Sequence, residues 1–108
     1  MQLDFNKFKN AENSEKAIIA LHGWSGNKDS FLPFVKNSKF KNVEWFLPEA
    51  PYIVDGDSQK RSWTYKKGDG TWEIGEPITM MESFLNKIIF NRYKSRDVYV
   101  IGFSQGAA

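Results

Sequence analysis

The apolar run Val98-Tyr99-Val100-Ile101 leads straight into Gly102-Phe103-Ser104-Gln105-Gly106, a Gly-x-Ser-x-Gly sequence that few chain geometries can hold. A serine between two glycines, after a buried strand and before the small residues Ala107 and Ala108, reads as a strand-to-helix turn sharp enough to strain the serine backbone. Gly102 and Gly106 are then required, because side chains two residues to either side would collide across the junction. The turn lifts the Ser104 hydroxyl out of the chain as a nucleophile.

Two further apolar runs, Ala17-Ile18-Ile19-Ala20-Leu21 and Val43-Glu44-Trp45-Phe46-Leu47, are continuous rather than alternating, as strands covered on both faces are. Gly23, Pro48 and Gly102 close the three runs, and the intervals leave room for crossovers. The pattern is α/β, with three parallel strands and crossover helices. In the first crossover Asp29 or Ser30 is expected to cap a short helix with Pro33 in its first turn. Pro77 followed by Met81, Phe84, Leu85, Ile88 and Ile89 predicts a second helix over Ile78 to Tyr93, with Arg92, Lys94 and Arg96 near its negative end. Met80 and Met81 read as core filler. Leu3, Phe5 and Phe8 hint at an N-terminal strand, antiparallel at the sheet edge.

The 108 residues fit one small domain, and 41% hydrophobic with 16% aromatic content demands a packed core. Fifteen basic and 13 acidic residues are scattered without a like-charge block, so no nucleic-acid footprint is expected; Lys7, Lys9, Lys36, Lys39 and Lys41 read as solvated faces. Without cysteine there is neither a disulfide framework nor a thiolate metal site, and a lone histidine, His22, argues against zinc; no metal and no cofactor are expected. The first ten residues lack an apolar core segment, and no stretch approaches the roughly 20 residues that span a bilayer. A soluble, cytoplasmic protein without a membrane span is the expectation.

The connection from Pro51 to Glu76 is longer than compact domains usually allow without purpose. It carries Tyr52, Trp63, Tyr65 and Trp72, rings whose burial would offset the ordering cost of such a loop. They either pack on the sheet edge or line a substrate pocket, and the residues themselves leave both open. Asp55, Asp57 and Asp69 in this segment read as solubilising.

A tetrahedral intermediate on Ser104 needs N–H donors. Gln105, the residue after the nucleophile, offers one from its backbone, and the second is expected from His22-Gly23-Trp24-Ser25-Gly26, at the same edge of a parallel sheet. Trp24 is the candidate. His22 is the sole imidazole that could act as base, but a histidine leaving a strand beside Gly23 more often fixes the loop locally, and the elbow architecture places its base after the nucleophile and the acid in chain order.

Taken together, Leu21-His22-Gly23-Trp24-Ser25-Gly26, Pro48-Glu49-Ala50-Pro51, Ser62-Trp63 and Gly102-Phe103-Ser104-Gln105-Gly106-Ala107 resemble the phospholipase/carboxylesterase family of α/β-hydrolases, which includes acyl-protein thioesterases. The resemblance runs from Ala17 onward. It implies a serine esterase or thioesterase with Ser104 as nucleophile, the N–H groups of Trp24 and Gln105 as oxyanion hole, and Trp63 bordering the substrate groove. Family members commonly continue Ser-Trp with Phe-Asp, where Thr64-Tyr65 stands here. The family's catalytic Asp and His lie in a second half of similar length, so residues 1–108 are expected to form a partial α/β-hydrolase domain ending at the nucleophile elbow.

The expected activity is hydrolysis of a carboxylic ester or thioester, on a small molecule or an acylated substrate, through an acyl-enzyme on Ser104. The alternative is a non-catalytic binding or interaction module derived from the same fold. The 108-residue polypeptide alone is expected to be inactive, and to be marginal, oligomeric or aggregation-prone because sheet faces and an edge stay uncovered.

Overall fold

A computed structural model describes residues 2–9 and 14–107, the last without its side chain. Four strands, β1 (Phe5–Lys9), β2 (Lys16–Leu21), β3 (Val43–Pro48) and β6 (Val98–Gly102), form one sheet in the order β1-β3-β2-β6. β2 is central and pairs in parallel with β3 and β6, while β1 pairs antiparallel with β3 at the edge. The three parallel strands and the N-terminal antiparallel strand are thus where the sequence places them.

Continuity of the apolar runs has its reason in two-sided burial. Ala17 and Ile19 of β2 face Phe46, Phe84 and Ile89, whereas Ile18 and Ala20 face Val43, Trp45 and Leu47. Helix α1 (Leu32–Lys36) covers the second face through Leu32 and Val35. Its N-terminus departs from expectation: Phe31 occupies the cap position without a side-chain bond. Ser30 Oγ instead accepts from Asn27 N–H at 2.9 Å, and Asn27 Oδ1 accepts from Asp29 N–H at 2.8 Å, so these polar groups close the preceding turn.

The first face is covered by α2 (Gly75–Phe84), which runs on as a π turn over Leu85–Ile89 and stops short of the expected single helix to Tyr93. Inward positions explain the change. Met80 and Phe84 are four apart, Phe84 and Ile89 five, Ile89 and Tyr93 four, and all four are buried. An i to i+5 turn, with Phe90 N–H donating to Leu85 O at 2.8 Å, absorbs the extra residue and keeps one stripe on the core. Arg92 then leaves the helix end for Glu44, whose carboxylate it meets at 2.9 Å.

Part of the long connection is a hairpin, β4 (Tyr52–Val54) and β5 (Asp57–Ser62). Asp55 and Gly56 form its tip at φ +52° and +72°, the left-handed pair that a tight two-residue turn requires. No described helix is long and apolar enough to cross a membrane.

Candidate active site

Ser104 follows β6 after one intervening residue, Phe103, and has φ +53°, a left-handed conformation that costs a non-glycine residue roughly 1–2 kcal/mol. A 3-10 turn over Ser104–Ala107 comes next. Its entry is tied down by Phe103 N–H donating to Leu21 O at 3.1 Å and by Gly106 N–H donating to Phe103 O at 3.0 Å. At Gly106 a Cβ would collide with the backbone oxygens of Leu21 and His22; at Gly23 it would stand 3.1 Å from Phe103 Cδ2. The turn after β6 and the loop after β2 are therefore in direct backbone contact, at the carboxyl ends of two neighbouring parallel strands.

The loop itself is braced from the hairpin. Ser25 N–H donates to Arg61 O and Arg61 N–H to Gly26 O, both at 2.8 Å, and Asn27 Nδ2 donates to Gln59 O at 2.8 Å. Glu49 accepts from Lys28 N–H at 3.3 Å and pairs with Arg61 at 3.7 Å. Neither Trp24 N–H nor Gln105 N–H has an acceptor within the chain among the described residues.

His22 is 1% exposed, and both ring nitrogens are engaged: Ala50 N–H donates to Nε2 at 3.0 Å, and Nδ1 lies 2.7 Å from Gly23 O. Burial holds the imidazole below its ordinary pKa, although the Gly23 carbonyl and the Glu49 charge pull the other way. With no nitrogen left over, His22 has no lone pair to offer Ser104.

Trp63 stacks on the His22 ring at 5.2 Å and donates from Nε1 to His22 O at 2.8 Å. The Gln105 carboxamide accepts from Trp63 N–H at 2.9 Å and donates to Ser62 Oγ at 3.1 Å. This carboxamide clamp was not legible in the sequence, where only the Gln105 backbone carried a role. Beside it opens a groove of about 420 Å³ lined by Leu21, Trp63, Thr64, Ile74, Pro77, Ile78, Met81, Gln105 and Gly106. Met81 thus serves the groove as well as the core. Of the other aromatics in the connection, Tyr52 and Tyr65 pack on each other at 4.7 Å and Trp72 stands exposed; none of the three lines this groove. A second hollow of about 410 Å³, lined in part by Gly23, Trp24, Phe34 and Phe103, borders the loop after β2. The described residues hold no cluster of three metal-ligating side chains.

An α/β sheet with a serine in a left-handed turn at the carboxyl end of a parallel strand belongs to the hydrolase class of α/β folds. Residues 7–108 match the phospholipase/carboxylesterase family, and the chain belongs to it. An esterase of Aedes aegypti is 31% identical over 87% of this chain and an esterase of Anopheles gambiae 29% over 94%. The chain spans 40% and 44% of the lengths of those two relatives, respectively. Among solved structures, esterase PE8 superposes with a TM-score of 0.77 at 17% identity, covering 99% of this chain and 54% of that one. Zea mays acyl-protein thioesterase 2 superposes with a TM-score of 0.68 at 20% identity, covering 97% and 48%. These structural likenesses establish the α/β-hydrolase fold.

Proposed function

We propose that this chain carries the nucleophile and oxyanion hole of a serine hydrolase of carboxylic esters or thioesters. Ser104 Oγ, giving its proton to a base outside residues 1–108, attacks the acyl carbonyl, and the backbone N–H groups of Trp24 and Gln105 stabilise the developing oxyanion. The intermediate collapses by breaking the carbonyl carbon–oxygen or carbon–sulfur bond, the alcohol or thiol leaves with the proton, and water then attacks the acyl-serine to give the carboxylic acid and free Ser104. Trp63 and the adjoining apolar groove receive the acyl portion, while His22, Gly23, Gly102 and Gly106 maintain the geometry. The observation that carries this reading is the φ of +53° at Ser104, in a turn packed against the loop whose Trp24 N–H has no acceptor among the described residues.

The proton acceptor for Ser104 lies outside residues 1–108, since the one imidazole in the chain is committed at both nitrogens. Residues 1–108 are then one part of the catalytic domain. The 108-residue polypeptide alone is inactive, and marginal, oligomeric or aggregation-prone, a reading supported by the position of β6 at the sheet edge and by Val100 at 60% exposure.

Hydrolysis of activated aryl and short-chain acyl esters and thioesters by the longer protein, measured beside its Ser104→Ala variant and the 108-residue polypeptide, tests the proposal. Turnover that disappears with Ser104→Ala and is absent from the short polypeptide is expected. Turnover surviving Ser104→Ala would remove the nucleophile, and a burst from the short polypeptide would return His22 to the role of base.

A further inference from the structure

His22 is a buried titratable group that takes no part in bond-making, and its two nitrogens do different things. Ala50 N–H can only donate, so Nε2 is the acceptor, and the ring proton sits on Nδ1, which donates to Gly23 O at 2.7 Å. Gly26 N–H donates to the same oxygen at 3.1 Å. In a trans peptide the Gly23 C=O and the Trp24 N–H share one plane and point in opposite directions. Holding the oxygen from two sides therefore fixes the direction of the N–H on the far side, and that N–H has no acceptor among the described residues.

We infer that His22 is a positioning residue: in its neutral Nδ1–H form it grips the Gly23 carbonyl and thereby aims the Trp24 N–H as an oxyanion donor. The donor's purpose rests on the proposed function; the tautomer and the peptide orientation do not. Ring placement is itself enforced, by Trp63 stacked on its face and by the Ala50 amide at its far nitrogen.

Two substitutions separate positioning from mere filling. His22→Asn puts an amide nitrogen near the place of Nδ1 and keeps a donor for Gly23 O while leaving Ala50 N–H bare. His22→Gln reaches the place of Nε2 with an acceptor and loses the donor. In the longer protein His22→Gln is expected to lower kcat about a hundredfold with KM little changed, whereas His22→Asn stays within about tenfold of the parent despite lower stability. A parent-like kcat in His22→Gln would overturn the inference. Nuclear magnetic resonance gives a readout independent of turnover. The imidazole nitrogen shifts of the parent should report a proton on Nδ1, and the Trp24 amide resonance should move in His22→Gln but hold in His22→Asn. A proton on Nε2, or an unmoved Trp24 amide, would also overturn it. If the parent protein shows no hydrolysis while these spectra come out as expected, the esterase reading fails and the peptide lock stands.

Discussion

The carbonyl oxygen of His22 stands 2.7 Å from where a Cβ on Gly106 would sit, and the Leu21 carbonyl is nearer still. Both obstacles are backbone in and beside a central strand, so neither can swing aside. Gly106→Ala must push the turn after Ser104 away from β2, at a cost on the order of 1–3 kcal/mol. Chemical denaturation should show that loss, and acylation of Ser104 in the longer protein should fall further than the loss of folded protein explains. An unchanged unfolding midpoint would mean that the two segments do not approach this closely.

Strain at Ser104 makes a second, opposite prediction. At φ +53° a Cβ is penalised, and glycine is not. Ser104→Gly and Ser104→Ala should both abolish acylation, but the glycine variant should be the more stable of the two by about 1 kcal/mol. Thermal unfolding of the pair decides it; an alanine variant equal to or above the glycine variant would place Ser104 in ordinary helical backbone.

How much of this could be read from residues alone follows from which interactions are local. The parallel strands were legible because two-sided burial writes itself as unbroken apolar runs, and the tight turn at Ser104 because the Leu21 and His22 backbone leaves room only for a glycine at 106. The hairpin was missed although its signal was present: Asp55-Gly56 is a strong turn pair, but β5 reads Asp-Ser-Gln-Lys-Arg-Ser and shows no apolar alternation, since main-chain bonds to Ser25 and Gly26 hold it in place of a buried face. The π turn was missed because Leu85 and Ile88 complete an ordinary helical stripe; only packing on Phe46 selects Phe84, Ile89 and Tyr93. The Gln105 clamp joins residues some forty positions apart and leaves no local trace.

Stability should depend on pH through His22. Burial, the largest cause, lowers its pKa in the folded chain below the ordinary 6.5, with Glu49 and Arg61 opposing each other among nearby charges. The unfolded chain then binds the proton more readily, so the contribution of His22 is full above about pH 6.5 and is lost as pH falls below it. Thermal unfolding followed from pH 8 to 5 should show a decline that His22→Gln flattens. A parent curve no steeper than the variant's over that window would remove the buried neutral imidazole.

Glu44 is fully buried in β3, where Arg92 Nη1 meets it at 2.9 Å and Tyr93 OH donates to it at 2.8 Å. Burial, reinforced by that hydrogen bond and the Glu44 charge, pushes the Tyr93 hydroxyl up to about 12, so the phenol remains a donor throughout the physiological range. The two partners named here are unequal: the Arg92 side chain is 40% exposed, yet it is the cation that compensates a carboxylate buried at 0% exposure. Arg92→Ala should therefore cost about 2–3 kcal/mol, more than a surface pair would, with solvent entering the vacated space limiting the loss. Adding Glu44→Gln to Arg92→Ala should recover part of that cost, because the amide keeps an oxygen for Tyr93 and leaves no charge to bury. Denaturation midpoints of the two single variants and the double variant measure the coupling. A double variant less stable than Arg92→Ala would show that the carboxylate contributes through packing and the tyrosine bond alone, with no buried charge for Arg92 to offset.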